Sequence, residues 1–355
     1  MAKNRNLNTA ARAKKDEFYT QLADIERELY HYQKFFKGKV VLCNCDDPYE
    51  SNFFKYFTIF FTHLELKKLI ATCYAGSPVV QTELDFFGTP NENPHFDKRT
   101  QAIKFEVNEI KDLNGDGAAD LLDVRLLLET DKNSVTYLEG DGDFRSPECI
   151  EALKEADIVV TNPPFSLFRE YVAQLIRYDK KFLIIGNINC ITYKEIFPLI
   201  KSNKIWLGYG MGRAISGFNV PETYELYGTE ARVDAKGRRI VSTNQCLWLT
   251  NIDIVKRHED IILFKRYADE PELFPHYDNY DAIEVPKTAF IPCDYFGVMG
   301  VPITFLDKYN PDQFEILGKI DSGAIDEYNL GNPIINGKNK YKRIAIRRRR
   351  RENDD

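Results

Sequence analysis

Asp157-Ile-Val-Val-Thr-Asn-Pro-Pro-Phe165 decides the reading of this chain. Ile158 to Val160 is a short apolar, β-branched run, suited to a buried strand. Pro163 and Pro164 cannot donate to a ladder, so the strand stops at Asn162. Thr161 and Asn162 then stand at a strand end, with the ring of Phe165 close behind. Ligands of an open α/β sheet bind just past the carboxyl ends of its strands. These residue types suit one chemistry. The lone pair of an exocyclic nucleobase amine is delocalised into the ring, which makes it a poor nucleophile. The Asn162 side-chain oxygen and the Pro163 carbonyl are two acceptors for its N–H groups, and rigid prolines fix their angle. Phe165 can stack on a flipped base. A plain di-proline turn after a strand is the alternative reading.

Outward from this stretch, strands alternate with helices. A helical pattern runs from Leu22 to Phe36. Lys39-Val-Val-Leu-Cys-Asn-Cys45 reads as the first buried strand and Lys68 to Tyr74 as the second, with an aromatic helix over Asn52 to Phe61 between them. Val135 to Glu139 is the third strand, followed by a helix over Pro147 to Ala156. Beyond Phe165 come a helix from Leu167 to Tyr178, a strand from Lys181 to Gly186, and a helix from Thr192 to Lys201. This alternation predicts an α/β fold with a parallel, doubly wound, Rossmann-like sheet. From Ile205 the texture changes: two strand-like stretches, Ile205 to Gly208 and Gln245 to Thr250, bracket a polar, glycine-rich insert. Residues 256–337 are rich in Pro, Tyr, Asp and Asn, without a clear helical period, and Arg343 to Arg347 closes as a short strand. The expected division is a catalytic domain over 1–255 and an irregular target-recognition region over 256–355.

The 355 residues are 43% hydrophobic and 29% charged, an ordinary globular balance with no apolar run of membrane-span length. Met-Ala-Lys-Asn-Arg at the start lacks the apolar core of a secretory signal. Seven cysteines without a Cys-x-x-Cys pair fit a reducing cytoplasm, and five isolated histidines suggest no zinc site. The net charge of −6 argues mildly against nucleic acid, but Lys338, Lys340, Lys342, Arg343 and Arg347 to Arg351 gather cation at one end. The arginine run reads equally as a solvated strand face with a tail or as a phosphate contact.

Asn162 to Phe165, within that alternation, resembles the amino-methyltransferases that use S-adenosylmethionine. Asp16-Glu-Phe-Tyr-Thr-Gln21, Cys43-Asn-Cys-Asp-Asp-Pro48, Ser51-Asn-Phe53 and the aromatic helix narrow this. Together they resemble the EcoRI-type adenine-specific DNA methyltransferases, the modification partners of restriction enzymes. The resemblance covers most of residues 14–205 and extends weakly to the C-terminus. It implies transfer of a methyl group from S-adenosylmethionine to adenine N6 in double-stranded DNA, with a cognate restriction endonuclease encoded nearby as a functional partner. It implies catalytic roles for Asn162, Pro163, Pro164 and Phe165. It places Tyr19 and Thr20 at the cofactor's carboxylate and Cys45, Asp46 and Asp47 at its methionine part. Asp143, or its neighbour Asp141, would meet the cofactor adenine, with Phe144 on the ring face. The blander readings are Thr20 as a helix N-cap, Asp46 or Asp47 capping the next helix, and Gly140 to Asp143 as a simple turn. The usual ribose-binding acid after the second strand is absent; Cys73 and Tyr74 stand there. Gly208-Tyr-Gly-Met-Gly-Arg213 lacks the ending of a phosphate loop and reads as a flexible loop near the target base. Rival functions are methylation of RNA or of a protein glutamine, and a non-enzymatic DNA- or calcium-binding protein with a decayed site.

One signal stands apart. Asp112, Asn114, Asp116, Asp120 and Asp123 fall at positions one, three, five, nine and twelve of a calcium-type loop, with Gly117 at six and Ala118 offering a backbone carbonyl. Position twelve is Asp rather than the bidentate Glu, and position eight is Ala. A polar turn into a helix is the competing reading of the stretch.

Overall fold

The computed structural model describes residues 19–45, 51–73, 102–110, 135–210, 215–220, 231–234, 237–241, 246–321 and 331–351. Asp46, Asp47 and the calcium-like stretch Asp112 to Asp123 lie outside them. The chain forms two compact units: residues 1–190 with 208–252, and residues 191–207 with 253–355.

In the first unit, Tyr19–Thr20 (β1) leads into helix Leu22–Leu29 (α1), which continues as a 3-10 turn over Tyr30–Phe35. Strand Val40–Asn44 (β2) is buried at every position, as a strand covered on both faces must be. Helix Asn52–Ile59 (α2) is capped by Ser51, whose hydroxyl accepts from the Phe54 amide at 3.3 Å. Ser51 takes the capping role that Asp46 or Asp47 would have had. The rings of Phe53, Phe54, Tyr56 and Phe57 bury in the core. Strands Lys68–Cys73 (β3), Ile103–Val107 (β4) and Val135–Tyr137 (β5) follow. Helix Pro147–Glu155 (α3) starts on the Ser146 cap with proline in its first turn. Strand Ile158–Thr161 (β6), helix Phe168–Arg177 (α4) and strand Lys181–Asn187 (β7) come next. Phe168, Tyr171, Val172 and Leu175 recur at helical spacing and form the buried stripe of α4.

The central sheet runs β5-β4-β3-β2-β6-β7 and ends, within this unit, on Cys246–Thr250 (β12). Its middle is parallel: β2 pairs with β3 and β6, and β6 with β7. Both flanks are antiparallel, β4 on β3, β5 on β4, and β12 on β7. The sheet is therefore mixed, where the alternation predicted a parallel one. The difference comes from β4, a strand the sequence reading did not mark, which pairs antiparallel between β3 and β5. Its burial alternates along the strand, the pattern of a sheet margin with one covered face. β6 ends at Thr161, as the prolines require.

A second, antiparallel sheet joins β1 to Phe218–Val220 (β9), then Arg239–Val241 (β11) and Ala231–Val233 (β10). Tyr19 and Thr20 are thus strand residues, and Gln21 holds the N-cap position of α1 that the helix-start reading gave to Thr20.

The second unit holds helix Phe197–Lys201 (α5) and strand Trp206–Leu207 (β8). α5 is shorter than the predicted Thr192 to Lys201, because Pro198 tolerates only the first turn of a helix. The tail of the chain, read as irregular, builds a sheet in the order Ile283–Glu284 (β13), Met299–Val301 (β14), Arg343–Arg348 (β18) and Phe314–Ile320 (β15). Ile334–Ile335 (β16) and Lys338–Asn339 (β17) form a hairpin. Short strands between 3-10 turns leave little periodicity to read. A buried knot pins β18: Arg343 grips Glu284 at 2.5 and 2.9 Å, and the Tyr277 hydroxyl donates to the same carboxylate. No helix among the described residues is long and apolar enough to cross a membrane.

Candidate active site

The parallel middle of the sheet places two strand ends side by side. From β2 the chain steps to β3 on one side, and later to β6 and β7 on the other. The carboxyl ends of β2 and β6 therefore flank a point where the winding reverses, the place where open α/β sheets bind ligands. Asn44 and Cys45 close β2; Thr161 and Asn162 close β6.

The two ends are tied together. The Thr161 hydroxyl donates to the Asn44 carbonyl, and the Tyr171 hydroxyl on α4 donates to Asn44 Oδ1 at 2.5 Å. Complete burial pushes the Tyr171 phenol well above its ordinary range, with the thiol of Cys45 a further cause, so it stays a neutral donor. Cys45 takes φ 73°, a left-handed conformation that an L side chain adopts at a cost of roughly 1–3 kcal/mol. The backbone thus turns sharply at the β2 end, in place of the glycine-rich turn of many nucleotide-binding sheets.

Asn162 is 6% exposed, and Pro163 is buried beside it. Pro164 opens a 3-10 turn over Phe165–Leu167, closed by the Leu167 amide on the Pro164 carbonyl at 3.1 Å. The half-buried Phe165 ring meets the Phe218 ring of β9 edge-on, with centroids 6.3 Å apart. Because β9 pairs with β1, Thr20 stands opposite Phe218 and Tyr19 opposite Asn219. The Thr20 carbonyl accepts from Asn52 Nδ2 at 2.7 Å, which joins β1 to the start of α2. Thr20 is 2% exposed, yet its hydroxyl has no hydrogen-bond partner among the described residues, and neither does Asn219 Oδ1. A buried polar atom without a partner costs about 1–3 kcal/mol. Such atoms suit a polar ligand. Nothing local in the sequence marks Asn219, which comes opposite Tyr19 through strand pairing alone.

Asp141, Asp143 and Phe144 lie past β5. Gly142 has φ 77°, and a Cβ there would stand 2.1 Å from the Cys73 carbonyl at the end of β3. Only glycine lets this loop close on that strand end. The Asp141 carboxylate accepts from the Asp143 amide at 3.0 Å, making a local turn. Asp143 accepts from Arg145 Nε at 2.9 Å and Nη2 at 2.6 Å, and Arg145 extends to Glu170 at 2.8 Å. The Arg145 guanidinium holds the Asp143 carboxyl below its ordinary value, so it is an ionised acceptor. Phe144 is buried, edge-on to the Tyr171 ring at 5.0 Å.

The sequence did not single out two buried acids on α1. Asp24 accepts from the Ser216 amide at 2.7 Å and hydroxyl at 2.8 Å. Glu28 accepts from the amides of Tyr209 at 2.5 Å and Gly210 at 3.3 Å and from the Tyr32 hydroxyl at 3.2 Å. His31 stacks on the Tyr209 ring at 3.3 Å. Gly208 is obligatory, since a Cβ would stand 2.5 Å from Trp248 Cβ and 2.4 Å from Glu28 Oε1. The described flanks of the glycine-rich loop, read from sequence as flexible, are thus fastened by α1. No cluster of three metal-ligating side chains occurs among the described residues.

A large mixed α/β sheet, with an Asn-Pro-Pro-Phe turn past the strand beside its reversal point, defines a methyltransferase-like protein. The family model of the adenine-specific methyltransferase EcoRI matches residues 6–353, and the chain belongs to that family of adenine-specific DNA methyltransferases. It is 54% identical to the type II methyltransferase M.EcoRI of Escherichia coli, covering 98% of each chain. It is 36% identical to the type II methyltransferase M.MgeORF184P of Mycoplasma genitalium, over 97% of this chain and 98% of that one. To the type II methyltransferase M.MpnI of Mycoplasma pneumoniae it is 34% identical, over 96% and 98%. No solved structure matches the chain.

Proposed function

We propose that this enzyme methylates adenine N6 at a specific duplex DNA site, as the modification half of a restriction–modification pair, and that Asn162 to Phe165 carry the reaction. The single observation that supports the assignment of residues is the place of the turn: buried Asn162 and Pro163 stand at the carboxyl end of β6, beside the end of β2. The target adenine leaves the duplex and stacks on Phe165. The Asn162 side-chain oxygen and the Pro163 carbonyl accept from its amino group, which draws electron density onto N6 where charge develops. The prolines hold that geometry in advance, so little reorganisation opposes the step. N6 sheds its proton to solvent after transfer.

S-adenosylmethionine supplies an electrophilic methyl when bound. In this reading the sheet is Rossmann-like and holds it over the ends of β2 and β3 and the loop past β5. Thr20 and Tyr19 meet its carboxylate, Cys45 its methionine part, the neighbouring Asp46 or Asp47 its ammonium, and Asp143 with Phe144 its adenine. The partnerless Thr20 hydroxyl supports this, as does the ionised Asp143, whose carboxylate keeps lone pairs beyond those given to Arg145. The second unit selects the sequence, and the stretch Asp112 to Asp123 holds a structural calcium ion.

The test is to express the gene in a host lacking DNA methylation and map the modified bases. N6-methyladenine should appear at one sequence. Asn162→Ala should cut turnover by about 100-fold or more, the loss expected for one transition-state hydrogen bond, with cofactor affinity kept. Label confined to cytosine, RNA or protein would end the reading, and a fully active Asn162→Ala enzyme would remove Asn162 from the mechanism.

A further inference from the structure

The arginine run at the end of β18 is not one uniform patch. Arg348 donates to the Cys293 carbonyl, and its guanidinium lies 4.8 Å from the centre of the Phe296 ring. Arg349 is spent on backbone: its Nε donates to the carbonyls of Pro311 at 2.8 Å and Phe314 at 3.3 Å. Arg351 grips both oxygens of Asp260 at 2.5 and 2.8 Å. These three hold the strand and its exit in place. The remaining two differ. Arg347 is exposed, stands opposite Glu315 on β15, and makes no hydrogen bond or ion pair among the described residues. Arg350 is exposed and lies 5.1 Å over the Phe296 ring, a contact that orients its fork without using its donors.

Phe296, Glu315 and Arg347 to Arg350 line one groove of about 480 Å³. Four guanidinium groups against one carboxylate make it strongly positive in a chain of net charge −6. A fold that needed the arginines only as a solvated strand face would gain nothing from setting them around a groove. We propose that this groove seats the phosphodiester backbone of the DNA duplex, with Arg347 and Arg350 as the phosphate contacts and Phe296 as the platform that aims Arg350. The inference rests on duplex DNA being the substrate. Phosphate contacts fix register and carry no sequence information, so the groove supplies affinity and orientation while base readout lies elsewhere.

The experiment is equilibrium binding of the full-length protein to two unrelated 30-base-pair duplexes, one containing the mapped methylation site, across a salt series. Each phosphate contact contributes about 0.9 to the slope of log affinity against log salt. The double variant Arg347→Ala, Arg350→Ala should show a slope shallower by about 2, and lose affinity by the same factor on both duplexes. Turnover at saturating DNA should hold, with a raised KM. Arg347→Lys with Arg350→Lys should restore most of the slope, which separates charge from folding. Arg349→Ala should lower the melting temperature and leave the slope alone. An unchanged slope in the alanine variant, a loss confined to one duplex, or tighter binding of single-stranded RNA than of duplex would each overturn the proposal. Wild-type methyl transfer, measured in the same samples, reports separately on the activity itself.

Discussion

A threonine hydroxyl at 2% exposure with nothing to bond to is a local cost, and Thr20 carries one within a strand pair that touches Phe165 through Phe218. Valine has the same shape without the hydroxyl. Thr20→Val should therefore leave stability unchanged or slightly raised, because the folded protein gives up no internal hydrogen bond. It should weaken S-adenosylmethionine by about tenfold, the worth of one hydrogen bond to a charged group, or about 1.4 kcal/mol. Calorimetric titration reads this directly, and an unaltered affinity would take Thr20 out of the cofactor site. Asp143 makes a contrasting point at the same scale. The sequence puts Asp143 first and leaves Asp141 as the neighbouring choice. Geometry separates them: Asp141 closes its own turn, whereas Asp143 is held ionised by Arg145.

α1 shows what one element can do for a distant one. Its two buried acids, Asp24 and Glu28, sit four residues apart on one helix face, and together they receive three backbone amides from residues 209–216. Carboxylate bonds to backbone amides are stronger than neutral ones. Glu28→Ala would leave the half-buried amides of Tyr209 and Gly210 without their acceptor, at a cost of about 1–3 kcal/mol. Denaturant unfolding should show that loss, and Glu28→Gln, which keeps one carbonyl acceptor, should lose less. The described link from this segment to β9 and Phe165 predicts a second effect: KM for DNA rises in Glu28→Ala at temperatures where the fold is intact. A variant that unfolds at the wild-type midpoint would show that α1 does not fasten the loop.

Across the molecule, charge is segregated. The chain is acidic in sum, yet its last described strand and the groove beside it are basic, so net charge alone misjudged the partner. The acidic stretch Asp112 to Asp123 belongs to the same scale, since a structural ion acts on the stability of the whole fold. A ligand that binds only the folded state stabilises it by about 2.7 kcal/mol at a hundredfold excess over its dissociation constant. Calcium at millimolar concentration should raise the melting temperature, and a chelator should lower it. Asp116→Ala should abolish the shift while methyl transfer at low temperature persists. A melting curve indifferent to calcium would reduce the stretch to a polar turn.

The strand end at Thr161 and the turn through Phe165 were determined by sequence alone, because proline removes the ladder donor and fixes φ within its own residue. The buried strands β2, β3, β6 and β7 were equally legible, since continuous β-branched and apolar runs state their burial locally. Tertiary structure decided the rest. β4 became a strand by pairing with β3, some thirty residues earlier in the chain. Thr20 came to stand opposite Phe218 only when β1 met β9, and Glu28 found its partners 181 and 182 positions away. Five adjacent arginines look alike as letters, and only the carbonyls, carboxylates and ring brought beside them commit three to the fold. Local sterics are written residue by residue, whereas hydrogen-bond partners are assigned by which distant segments the packed core brings together.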